Sequence, residues 1–64
     1  MEIALFESGY YYDNPDIVRV FSTIERAIDN IPPEYEKKET YMELYYENQK
    51  HARWLSITIY KVEE

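Results

Sequence analysis

Residues 21–33 read FSTIERAIDNIPP, and the change of period inside this stretch sets the fold. Just before it, Asp16–Phe21 (DIVRVF) is β-branched and aromatic, which predicts a strand. From Ser22 onward the pattern is helical. Ser22 followed three residues later by Glu25 matches a capping box, with Ser22 as the expected N-cap. Ile24, Ala27, Ile28 and Ile31 then recur at i, i+3, i+4 and i+7, one apolar helical stripe. Phe21, just before the cap, is placed for a staple-like contact with Ile28. Pro32-Pro33 cannot continue a helix, and Pro32 biases Ile31 away from helical geometry. The spacing predicts a helix over Thr23–Asn30 with one face buried.

Working outward from that helix, strands flank it on both sides. Glu2–Glu7 (EIALFE) reads as a strand, with Ile3 and Leu5 facing one way and Ala4 and Phe6 the other. The segment ESGYYYDNPD holds Gly9, Asp13, Asn14 and Pro15, all turn formers, and predicts a hairpin loop whose tyrosines extend the strands on either side. Beyond the helix, Glu34–Glu39 (EYEKKE) reads as a solvated loop. Thr40–Glu47 (TYMELYYE) alternates, with Met42, Leu44 and Tyr46 on one face and Tyr41, Glu43, Tyr45 and Glu47 on the other. Asn48–His51 supplies a polar turn. Arg53–Val62 alternates again, with Leu55, Ile57 and Ile59 set against Trp54, Ser56, Thr58 and Tyr60. The expected order is β-β-α-β-β: one α+β domain over residues 1–64, a small two-layer sandwich. It has an antiparallel sheet of about four strands with one amphipathic helix on one face.

Composition narrows the function. Thirteen acidic against seven basic residues give a formal charge of −6. Phosphate contacts need clustered Lys and Arg, so no direct nucleic-acid binding is expected. The same balance argues against anionic membrane surfaces. MEIALFES has neither a basic n-region nor a long apolar run, so neither a signal peptide nor a membrane span is expected. The chain has no cysteine and one histidine, His51, which leaves no disulfide, thiolate-metal or His-cluster chemistry. Lack of cysteine fits a reducing cytoplasm. A 64-residue domain without staples depends on a good core or on a homo-oligomer, a homodimer being possible.

Catalytic patterns are missing too. There is no G-x-S-x-G, H-E-x-x-H or Gly-rich phosphate loop, and the single glycine excludes most phosphate cradles. Asp13, Asn14 and Asp16 lack the spacing of a calcium loop and read as turn chemistry. His51 reads as a surface turn residue. The pairs Glu34/Glu36 and Glu63/Glu64 fall on loop or tail, where nothing tunes them for acid–base work. The expectation is a non-enzyme with no cofactor and no metal.

The aromatic residues carry the remaining signal. The alternation places Tyr41, Glu43, Tyr45, Glu47, Trp54 and Tyr60 on the face away from the helix. Tyr and Trp are the anchors favoured at interfaces, being rigid and amphipathic. The competing reading is structural, because aromatic cross-strand pairs also stabilise sheets. Tyr10, Tyr11 and Tyr12 extend the candidate surface if their loop binds, with Tyr10 and Tyr12 on one side and Tyr11 on the other.

The run EIALFE…IVRVFSTIERAIDNI…LSITIYKVEE resembles a group of small bacterial and phage proteins of unknown activity. Their pattern is a short N-terminal strand, a second strand ending V-F-S-[ST], a helix opening x-E-x-A, and a closing strand ending Y-x-V-[DE]. Here these are Ile3–Phe6, Val20-Phe21-Ser22-Thr23, Glu25 with Ala27, and Tyr60-Lys61-Val62-Glu63. The match covers about half the chain, rests on fold-determining residues, and does not extend to the Tyr-rich 40–47 strand or the 10–12 triplet. The resemblance implies a phage-type accessory protein of the host-cell cytoplasm that binds and blocks a host or anti-phage defence protein. Taken with the charge, the leading expectation is an acidic protein-binding module, an inhibitor acting on a partner with a basic surface. The alternatives are a nucleic-acid-mimicking protein that blocks a DNA- or RNA-binding partner, and a structural homodimer without another partner.

Overall fold

The computed structural model describes residues 1–41 and 44–63. In chain order the elements are β1 (Glu2–Tyr10), β2 (Ile17–Phe21), α1 (Ile24–Asp29), β3 (Glu36–Lys37), β4 (Tyr45–Asn48) and β5 (Arg53–Lys61). They form one sheet in the order β2-β1-β5-β4-β3, antiparallel throughout, with α1 packed on one face. This is the expected small α+β fold with five strands rather than about four. The additional strand is β3, which lies where a solvated loop was expected. It is a sheet edge, and short charged strands are common there because one side faces water.

The helix begins one residue later than the capping box implies. Thr23, in extended geometry, is the N-cap, and its Oγ1 accepts a hydrogen bond from the Arg26 amide at 3.2 Å. Ser22 lies in the bend before it. At the other end Asn30 Nδ2 donates to the Arg26 carbonyl at 2.8 Å, closing the helix before the proline pair. The buried stripe is narrower than its spacing suggests: Ala27 is buried, Ile31 packs against the core, and Ile28 is exposed.

The core is Ala4, Phe6, Ala27, Leu55 and Ile57, lined by Phe21, Ile31, Tyr35, Leu44 and Tyr46. Ala4 and Ala27 are small, which lets the helix sit close to the sheet. Phe6 and Phe21 meet edge-to-face at 5.8 Å between ring centroids, a favoured aromatic geometry. The register places Ala4, Phe6 and Ser8 opposite Ile59, Ile57 and Leu55, so all six share the helix face.

The second hairpin departs most from the expected pattern. Of Thr40–Glu47 only the last residues are strand, and β4 runs on to Asn48. Met42 and Glu43, assigned to opposite faces of that strand by their alternation, lie outside the described residues. Asn48 is buried, and its Oδ1 accepts from the His51 amide at 3.3 Å, capping a 3-10 turn over Gln49–His51. Ala52 then reverses the chain in the left-handed region, φ 53°. His51 sits exposed in this turn, as its polar surroundings suggest.

Candidate functional site

The helix covers one face of the sheet and leaves the other open. The register gives the open face Ile3, Leu5, Glu7 and Gly9 from β1, opposite Tyr60, Thr58, Ser56 and Trp54 from β5. Val20 and Val18 from β2 lie beyond Leu5 and Glu7. Tyr45 and Glu47 from β4 lie beyond Ser56 and Trp54.

One end of this face is built around Glu47. The β1–β2 loop folds over it because Gly9 has no side chain. A Cβ there would stand 2.8 Å from the Asn14 carbonyl oxygen and 3.1 Å from Pro15 Cα. Trp54 Nε1 donates to the Asp13 carbonyl at 3.3 Å and pins the loop in place. That positions Tyr11, whose hydroxyl donates to Glu47 Oε1 at 3.5 Å. Burial pushes the Tyr11 and Tyr45 phenols up, and the Glu47 carboxylate beside them adds to both shifts. The result is an aromatic notch of about 350 Å3 lined by Tyr11, Tyr12, Tyr45, Glu47, Gln49 and Trp54. A second hollow of about 330 Å3, lined by Thr40, Tyr41, Tyr45 and Glu47, shares two of these side chains. Tyr12 is 105% exposed and Tyr41 98% exposed, so both rings stand in solvent at the rim. Tyr12 is also held in the left-handed region, φ 64°, which is uncommon for a bulky residue.

The expected site residues therefore separate. Tyr11, Tyr12, Tyr45, Glu47 and Trp54 converge on the notch, and Tyr41 lines the adjoining hollow. Glu43 lies outside the described residues. Tyr60 is on the open face but six residues along β5 from Trp54, about 20 Å away. It neighbours Ile3 instead. Tyr10 is on the helix face, because β1 extends through it and the alternation carries it inward. There the Arg53 guanidinium lies 4.5 Å above its ring centroid. The same guanidinium grips Asp16 with two contacts, 2.6 and 3.1 Å, and its Nε donates to the Tyr35 hydroxyl at 3.3 Å. Arg53 holds the Asp16 carboxyl below the usual aspartate range, and Asp16 holds the guanidinium above its own.

The open face also carries residues that sequence reasoning did not assign to a site. Val18 and Val20 are 58% and 60% exposed on the edge strand β2. Their signal was present in the alternation of IVRVF, but the pairing that turns them outward is tertiary.

Another concavity, of about 370 Å3, lies elsewhere, beside the start of α1. It is lined by Glu2, Ile3, Ser22, Thr23, Ile24, Glu25 and Ile59, with no cation and no convergent polar set. Among the described residues no three His, Cys, Asp or Glu side chains group to hold a metal ion. Nor, among the described residues, is any helix long and apolar enough to cross a membrane. No family model, curated protein or solved structure matches the chain.

Proposed function

We propose that this protein is a non-enzymatic, acidic binding module that engages a protein partner through its open sheet face. The observation that carries the reading is the pair Tyr12 and Tyr41: two rings left fully in solvent, one at the aromatic notch and one at the adjoining hollow, on the sheet face opposite the helix. Exposed aromatic patches of this kind mark interaction sites. The surplus of carboxylates favours a partner with a basic surface. In the setting implied by the resemblance, that partner is a host or anti-phage defence protein in the cytoplasm, blocked by occupancy.

The test is affinity capture from bacterial lysate with the wild-type chain and with a Tyr12→Ser, Tyr41→Ser double variant. Both rings are free of core packing, so the variant keeps its fold. A partner held by the wild type at low and high salt, and released by the variant, supports the reading. Equal capture by both proteins removes it. A partner held only at low salt points to charge mimicry of nucleic acid instead.

A second reading, self-association, is favoured by the exposed Val18 and Val20 on the edge strand β2. Sedimentation across a concentration series tests it, with Val18→Lys as the disrupting variant.

A further inference from the structure

Glu47 is a half-buried carboxylate walled by rings. Tyr11 reaches it from the β1–β2 loop, Tyr45 is two residues back on the same strand face, and Trp54 is its cross-strand partner. Aromatic faces carry negative quadrupole potential, so rings around an anion make a well for a cation. Among the described residues no cation pairs with Glu47. Lys38, at this edge of the sheet, pairs with Glu36 at 3.5 Å. The notch is therefore charged, concave and without a counter-ion in a chain of net charge −6.

The opposite face shows what this chemistry holds. Arg53 Cζ stands 4.5 Å over the centroid of the Tyr10 ring while Asp16 grips its two terminal nitrogens. A ring for the guanidinium plane and a carboxylate for its edge are both satisfied there within the molecule. At the Glu47 notch the ring and the carboxylate are present and the guanidinium is not.

We propose that the Glu47 notch receives an arginine side chain of a partner protein, stacked on the Tyr45 or Trp54 ring and paired to Glu47. Arginine fits better than lysine because its planar, weakly hydrated head stacks on rings and matches a carboxylate with two parallel donors. This rests on the protein-binding reading above and specifies the partner's contact group.

The chain has a single tryptophan, and it lines the notch, so its fluorescence reports occupancy directly. The probes are an acetylated Gly-Arg-Gly peptide and its lysine and citrulline counterparts, titrated against the full chain. Expected is a saturable fluorescence change with the arginine peptide at about millimolar affinity, as befits one contact group. Glu47→Gln should weaken it about ten-fold or more, whereas Glu34→Gln, an exposed carboxylate in the turn after the helix, should not. Amide spectra of Glu47→Gln confirm the fold, and Tyr45→Leu gives a second variant that removes a stacking ring. No saturation, equal response to citrulline or lysine, or an unchanged Glu47→Gln titration each overturns the arginine assignment. If these occur while lysate capture still depends on Tyr12 and Tyr41, the binding-module reading stands and only the contact group is wrong.

Discussion

Gly9 and Trp54 face each other across the β1–β5 pair, and a Cβ on Gly9 would stand 3.3 Å from the indole Nε1 and 2.8 Å from the Asn14 carbonyl. The chain's one glycine is thus required by close approach, not by an unusual φ. The loop backbone passes where a side chain would otherwise be, and Trp54 ties that loop down through Asp13. Gly9→Ala should destabilise the domain by about 1–3 kcal/mol, because backbone rather than a flexible side chain must move. Urea denaturation measures this. In the same variant the Tyr11–Glu47 contact should loosen, seen as a shift of the Tyr11 ring signals. An unchanged midpoint would mean the loop does not lie over Gly9.

Arg53 ties the first hairpin to the post-helix loop through Asp16, Tyr10, Ser8 and Tyr35. Its side chain is 15% exposed. Arg53→Ala should cost about 1–3 kcal/mol through lost charge-assisted bonds and lost packing together. Arg53→Lys should recover only part of this, since an ammonium cannot make the fork or stack equally well.

The same pair sets a pH dependence. Asp16 has its folded pKa lowered, first by the hydrogen bond from Arg53. Its stabilising effect is therefore complete above the ordinary aspartate range and is lost as pH falls through the lower folded value. Denaturation midpoints should drop on acidification, and Asp16→Asn should flatten that limb while lowering stability at neutral pH. An acid limb that is identical in the variant would assign it to other carboxylates.

Tyr11 and Tyr45 should ionise above the ordinary tyrosine value in a spectrophotometric titration, burial being the first cause and Glu47 the next. With folded pKa values raised, their contribution to stability is intact below pH about 10 and is lost as pH climbs past it. Glu47→Gln should bring both phenols part of the way down, leaving the burial component. A full return to the exposed value would make Glu47 the dominant cause.

Two non-glycine residues sit at positive φ, and they separate structure from function. Ala52, at 53°, ends the 3-10 turn, and Ala52→Gly should stabilise by about 0.5–1 kcal/mol by removing a Cβ from the left-handed region. Tyr12, at 64°, carries a fully exposed ring. Tyr12→Asn should gain stability for the same reason and lose partner capture if the ring is an anchor. Gain without loss would make Tyr12 a tolerated surface residue.

Much of this molecule was legible along the chain. The alternation of RWLSITIYK placed Leu55, Ile57 and Ile59 on one face and Trp54, Ser56, Thr58 and Tyr60 on the other, and the register keeps the two faces, although Ile59 ends up exposed and Ser56 buried. The stripe of α1 and the proline stop gave the helix to within a residue at each end. The Ser22 cap failed by one position because Ser22 and Thr23 carry the same hydroxyl chemistry, and only the path of the chain decides which sits at the helix start. The strand β3 was hidden because an edge strand of Glu and Lys has the composition of a solvated loop. Tyr10 was assigned with Tyr12 because alternation was carried through the triplet, whereas the turn over Tyr11 and Tyr12, with Tyr12 at φ 64°, breaks it.

From the sequence alone come the fold class, the two faces of the long strands, the acidic balance and the supply of aromatic residues. These follow from local periodicity and from residue chemistry, both readable without neighbours. Only the tertiary structure decided that Glu47, Tyr11, Tyr45 and Trp54 form one notch, and that Tyr60 stands apart and Tyr10 belongs to Arg53. Residues 11, 45 and 54 meet because two antiparallel registers, β1–β5 and β4–β5, and one missing side chain at Gly9 bring them to the same corner of the sheet. Register is a property of pairing across the sheet, and no single stretch of chain contains it.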